Sequence, residues 1–221
     1  MSADTLRLFV AVDPDRAAIA DLGNLVDGLA VARPAPPGGS LRLTRRDAWH
    51  ITLAFIGEVP ATNRDKAEGA VARAAGSVAA ADAVPRRRAG AAAPVGPVTV
   101  RIAGGGRFNK GRFTVLWAGL AGDLDGLGAI AAAVRRELRR AKLPVDERSF
   151  KPHLTIARPG DRLAPDALAA DLDALAGYTG PAWTVSEVLL YASEPGPKPR
   201  YTRLFAANVG TVTLGGANER G

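Results

Sequence analysis

Two periods of apolar and polar residues alternate along this chain. Strand-length apolar runs, several alternating strictly, occupy TLRLFVAVD (residues 5–13), HITLAFIG (50–57), VTVRIAG (98–104), RFTVLWAGL (112–120), HLTIARP (153–159), WTVSEVLLYA (183–192) and YTRLFAANV (201–209). Between them the period lengthens to that of a helix. Ile19, Leu22, Leu25, Val26 and Leu29 follow the start signal Asp13-Pro14, and TNRD (62–65) resembles a capping box opening an Ala-rich helix to about residue 80. Leu124, Leu127, Ile130, Val134 and Leu138 mark a third helix, whose last turns carry Arg135, Arg136, Arg139 and Arg140, the end where cations suit the helix dipole. Leu168, Leu172 and Leu175 stripe a fourth over residues 165–176. RPAPPGGS (33–40) is a loop by composition, residues 81–94 are loop or weak helix, and Gly104–Gly106 reads as a hairpin turn.

Strands and helices therefore mix in both halves. The pattern predicts an α+β fold, bilobal, with two pseudo-twofold-related lobes of antiparallel sheet and outer helices around a central cleft. One such domain would span residues 1–210, with 211–221 a mobile C-terminal tail. No G-x-G-x-x-G spacing or P-loop lysine supports a parallel nucleotide-binding sheet.

Composition narrows the function. The chain of 221 residues contains no cysteine, which excludes disulfides, thiolate metal sites and cysteine nucleophiles and fits a reducing compartment. Asp4 and the short N-terminal apolar run do not fit a signal peptide, and no uncharged apolar stretch approaches the ~20 residues of a membrane span. A cytoplasmic monomer is expected, with no membrane partner. The net charge of +7 suits anionic partners such as nucleic acid, although Arg86–Arg88 lies in Ala/Gly/Pro-rich sequence and reads as a solvated loop.

Only two histidines occur, His50 and His153, and each opens the same unit: His, apolar, Thr, apolar. Side chains alternate across a strand, so His50 and Thr52 share one face and His153 and Thr155 share another, with Ile51, Leu53, Leu154 and Ile156 turned to the core. If the lobes meet, two imidazoles and two hydroxyls line one cleft. One imidazole can take a proton from water while the other gives one to a leaving oxygen, and hydroxyls can hold an anionic oxygen. That set suits in-line attack on a phosphodiester, and a strained cyclic phosphate needs no metal to open. Zinc would need three or four ligands, and the chain has no third His and no H-E-x-x-H, so no metal or cofactor is expected. No G-x-S-x-G supports a serine nucleophile. A catalytically silent RNA-binding module, or an enzyme acting on a small cyclic nucleotide, remains an alternative.

At these residues the sequence resembles the two-histidine phosphoesterase superfamily, marked by paired H-x-T/S-x motifs, and within it the RNA 2′,3′-cyclic phosphodiesterases, also called 2′-5′ RNA ligase-like proteins. The resemblance runs from about Leu6 to Phe205 through RLFVAVD, WHITLAFIGEV, TVLWAGL, FKPHLTIAR and VSEVLLYAS…RYTRL. It implies metal-independent hydrolysis of RNA ends, or of nucleotides, carrying a 2′,3′-cyclic phosphate to 2′-phosphomonoesters. His50 would be the proton donor to the leaving 3′ oxygen and His153 the proton acceptor that activates water. Thr52 and Thr155 would bind the phosphate, Arg158 would lie near the phosphate or base, and Phe55 would stack on a base. Strict alternation puts Phe55 and Arg158 on the faces opposite their histidines, so this reading requires each strand to bend or end there, as the following Gly57 and Pro159 allow.

Overall fold

The computed structural model describes residues 5–34, 42–82, 97–109, 111–159, 163–196 and 199–209. Most of the 33–40 loop, residues 83–94 with Arg86–Arg88, and the tail after Gly210 lie outside the described residues. The strands are β1 (Thr5–Val12), β2 (Arg42–Leu43), β3 (Ile51–Pro60), β4 (Thr99–Phe108), β5 (Val115–Gly122), β6 (His153–Arg158), β7 (Thr179–Thr184), β8 (Glu187–Glu194) and β9 (Arg200–Asn208). The helices are α1 (Arg16–Gly28), α2 (Arg64–Asp82), α3 (Leu124–Arg140) and α4 (Pro165–Ala176).

All pairings are antiparallel, and the order across the sheet is β7-β4-β5-β6-β3-β1-β8-β9, with β2 added beside β6. The two histidine-bearing segments are central neighbours, with β6, β5, β4, β7 and the short β2 on one side of their junction and β3, β1, β8 and β9 on the other. Helices α2 and α3 pack on each other and reach β8, β9 and β3, while α4 packs on β4 and α1 on β7. The lobes are not the two halves of the sequence. The closing strands β8 and β9 return to β1, so the first lobe is built from both ends of the chain.

Several local expectations shift by a few residues. Asp15, not Asp13, caps α1, its carboxylate accepting from the Ala18 amide at 2.7 Å. A short 3-10 turn (Ala61–Asn63) precedes α2, which begins at Arg64. Asp123 caps α3 through the Gly126 amide, and Leu127, Ile130, Val134 and Leu138 are buried as their spacing predicts. Leu124, in the first turn, stays exposed. The apolar run 183–192 divides at Val185–Ser186 into the end of β7 and most of β8.

The Gly104–Gly106 expectation is corrected. These glycines lie inside β4 at an irregularity in its pairing with β5, and Gly104 has φ +66°. A Cβ on Gly105 would meet Leu175 at 2.7 Å, and one on Gly106 would meet the Trp117 ring at 2.7 Å. Here glycine serves close approach by α4 and an indole, not chain reversal. Asp171, a buried carboxylate of α4, accepts from the Ala30 and Val31 amides at 2.7 and 2.9 Å and so ties α4 to the end of α1.

Candidate active site

The two motifs meet through one residue pair. Ile51 and Leu154, the second residue of each His-x-Thr unit, are antiparallel partners between β3 and β6. An antiparallel register centred on that pair sets His50 across from Thr155 and Thr52 across from His153, with all four on one face. The opposite faces of both strands are fully buried at Ile51, Leu53, Leu154 and Ile156. The apolar residues of each unit thus anchor it in the core, and the polar ones are left on the concave side.

Both imidazoles are oriented alike. Nδ1 of His50 lies 2.8 Å from the Ala48 carbonyl oxygen, and Nδ1 of His153 lies 2.7 Å from that of Lys151. A carbonyl only accepts, so each Nδ1 carries the proton and donates. Each Nε2 is therefore the nitrogen left for chemistry, bare in the neutral ring and protonated in the imidazolium.

Their surroundings differ. His50 lies 4.8 Å from the Phe9 ring and 5.1 Å, edge-on, from the Tyr201 ring, with Tyr191 at 6.2 Å. Phe9 is itself buried and stacks on Tyr191, whose hydroxyl donates to Asp13 at 2.7 Å. Burial also raises the Asp13 carboxyl above its ordinary value. Burial among these rings, with a smaller push from the charge of His153, takes His50 down from 6.5 to about 4, against the pull of the Ala48 carbonyl. His153 faces Phe108 edge-on at 4.9 Å and Trp117 at 6.4 Å. Half of the chain's twelve aromatic residues (Phe9, Phe55, Phe108, Trp117, Tyr191 and Tyr201) thus collect on the face of the two histidines. Sequence reading passed over five of these, four as ordinary strand residues and Phe108 as part of the loop between two strands.

Phe55 and Arg158 reach the same face by a route that simple alternation does not anticipate. Along β3 and β1, Thr52 pairs with Ala11, Ala54 with Val10, and Phe55 with Phe9, so Leu53 is an extra, bulged residue. Since Phe9 and Ala11 share a face of β1, Phe55 shares the face of Thr52. Its ring lies 6.2 Å from Phe9 and is 44% exposed, open to a flat partner. On β6, Thr155 pairs with Trp117 and Ala157 with Leu116, so Ile156 is the extra residue and Arg158 returns to the Thr155 face. Each bulge falls one residue after the threonine. It is this insertion, rather than Gly57 or Pro159, that re-aims the two side chains. Among the described residues no three of His, Asp and Glu gather as a metal site would require. No described helix is long and apolar enough to cross a membrane.

The family model of the 2′-5′ RNA ligase superfamily matches residues 32–197. An RNA 2′,3′-cyclic phosphodiesterase of Geobacillus stearothermophilus is 29% identical over 163 residues, covering 72% of this chain and 44% of that protein, so the chain spans less than half the length of this curated relative. Among solved structures, Escherichia coli LigT complexed with ATP superposes with a TM-score of 0.62 at 24% identity, covering 94% of this chain and 100% of the other. A protein of Thermus thermophilus superposes with a TM-score of 0.63 at 24% identity, covering 92% and 98%. These likenesses show the fold. With the family match over most of its length and two matched His-x-Thr units on one sheet face, the chain belongs to the 2′-5′ RNA ligase superfamily, the two-histidine phosphoesterases.

Proposed function

We propose that this protein hydrolyses 2′,3′-cyclic phosphates at RNA ends to 2′-phosphomonoesters by general acid–base catalysis, with His50 as the proton donor and His153 as the proton acceptor. The carrying observation is that both imidazoles are pinned through Nδ1 to a backbone carbonyl and leave Nε2 for chemistry on one face of joined strands. His153 Nε2 takes a proton from water as its oxygen attacks phosphorus. The P–O3′ bond breaks, and His50 Nε2–H protonates the leaving 3′ oxygen, leaving the phosphate on the 2′ oxygen. Hydroxyls of Thr52 and Thr155 hydrogen-bond the non-bridging oxygens, whose charge grows in the transition state. Arg158 supplies positive charge at the edge of the same face, and Phe55 offers a ring for the terminal base.

The donor role places a condition on His50. With a value near 4 in the free protein, its ring is neutral at neutral pH, so the proton it donates has to arrive with the substrate. A phosphate anion beside Nε2 favours the charged ring and supplies that drive. The test is incubation of the protein with a cyclic-phosphate-ended oligonucleotide in EDTA, with the 2′- and 3′-phosphate products resolved. A 2′-phosphate product formed despite chelation is expected. No turnover, or turnover only on a cyclic mononucleotide, would overturn the RNA-end reading.

A further inference from the structure

Glu137 of α3 is a buried carboxylate with three guanidinium partners. Nε of Arg73, from α2, lies 3.3 Å from one of its oxygens, while Nε of Arg136 and Nη1 of Arg140 lie 3.3 and 2.9 Å from the other. One arginine would neutralise the carboxylate, and Arg73 alone would join the two helices. Three leave two positive charges unmatched, since among the described residues none of them pairs with another carboxylate. The helix dipole favours cations at the end of α3, but it accounts for neither Arg73 nor the convergence. All three side chains are half-exposed or more, and each reaches Glu137 through a single nitrogen, Arg136 also donating to the Ser77 hydroxyl at 3.2 Å. A buried anchor thus holds forked donors in place with arms left over, and such forks fit phosphate oxygens bidentately.

The cluster lies close to where the chain passes from α3 into the sheet. Asp146 follows Arg140 by six positions, at most roughly 20 Å of extended chain, and its amide donates to the Phe55 carbonyl at 3.1 Å. Arg135 ties the same segment back to α3 by donating to the Arg148 carbonyl at 2.9 Å. The arginines are thereby linked to the strand position whose ring is open to the terminal base. Resting on the RNA-end reading above, we infer that Arg73, Arg136 and Arg140 form a docking site for backbone phosphates of the RNA strand that leads away from the reacting end. The site favours long strands over short ones and takes no part in the chemistry at the histidines.

The test compares kcat/KM on two substrates with the same cyclic-phosphate end, a dinucleotide and a strand of roughly 16 nucleotides, the upper site size of a single-strand-binding fold. The proteins are wild type, Arg73→Gln, Arg140→Gln and the double variant. In the double variant the ratio of long to short kcat/KM should fall roughly tenfold, the loss of charged hydrogen bonds at an exposed site, with the single variants between. The slope of log kcat/KM against log salt on the long strand should become shallower by about 1.4, as two single-strand phosphate contacts are lost. The rate on the dinucleotide should stay at the wild-type value. Each single variant leaves Glu137 two arginines, so its Tm should stay near that of wild type, and the singles carry the test if the double variant is unstable. Equal losses on both substrates, or an unchanged ratio, would overturn the docking site while leaving the hydrolysis reading intact. A Tm rise with inorganic phosphate that the variants lose, with the ratio unchanged, would make the cluster a free-anion site and overturn the RNA assignment. A wild type inactive on both substrates would overturn the hydrolysis reading and the docking site together.

Discussion

His50 is the residue whose environment makes the sharpest quantitative claim. Burial against Phe9, Tyr191 and Tyr201 lowers it from 6.5 to about 4. At 1.36 kcal/mol per pKa unit this is worth at most about 3 kcal/mol, the ring being partly exposed. The sign follows from proton counting. Above pH about 6.5 the imidazole is neutral in both folded and unfolded chains, and the fold keeps its full stability. As pH falls from about 6.5 towards 4, the unfolded chain binds a proton that the folded chain refuses, so stability is lost progressively. At pH about 5.5 the loss from this group is about 1.4 kcal/mol. Urea denaturation of wild type and His50→Gln across this range isolates the term, because contributions from other groups, including Asp13, cancel in the difference. With only two histidines in the chain, the ring proton signals also give each titration directly by NMR. A His50 signal titrating near 6.5 in the free protein, or identical pH slopes for the two proteins, would refute the account of the aromatic housing. A 2′-phosphorylated nucleotide should raise the His50 titration, since the proposed donor takes up its proton with the anion.

Three further outcomes are expected. Thr52→Ala and Thr155→Ala should each cost on the order of 1.5–3 kcal/mol of transition-state stabilisation, read as kcat/KM on a cyclic-phosphate-ended oligonucleotide; unchanged rates would remove the hydroxyls from the phosphate site. A substrate whose leaving oxygen departs without protonation should restore turnover to His50→Ala and not to His153→Ala, and the reverse pattern would exchange the two roles. Gly106→Ala should lower stability by about 1–3 kcal/mol in denaturation experiments and slow turnover as well, because its Cβ would press on the Trp117 ring that helps wall His153.

The sheet and the two histidines were legible because each strand carries its own signature. In HITL and HLTI the apolar residues all enter the core, and the polar ones have only the concave face left. The site's edges were harder to read. HITLAF and HLTIAR each hold two consecutive apolar residues after the threonine, Leu53-Ala54 and Ile156-Ala157, and all four are buried. That doubled apolar step is the local mark of a bulge, and it resets the phase so that Phe55 and Arg158 rejoin the histidine face. Gly104–Gly106 was misread for a related reason. A glycine run signals turns and close approach alike, and only the packing of Leu175 and Trp117 decides between them. The strand β2 carried no periodic signal at all, since two residues are too few to have one, and its pairing of Arg42 with Arg158 spans 116 residues of sequence. The return of β8 and β9 to β1 is likewise a long-range pairing, visible only once the sheet order is known.

The central claim is that one proton leaves through His50 and one arrives at His153 in a single transition state. It is tested most directly by the rates of His50→Ala, His153→Ala and the double variant on one cyclic-phosphate-ended oligonucleotide in EDTA. Each single substitution should cost roughly 10²–10⁴-fold in kcat, and the double variant should be little slower than either, because groups acting together are not additive. Single variants that retain wild-type turnover, or losses that multiply in the double variant, would contradict the claim.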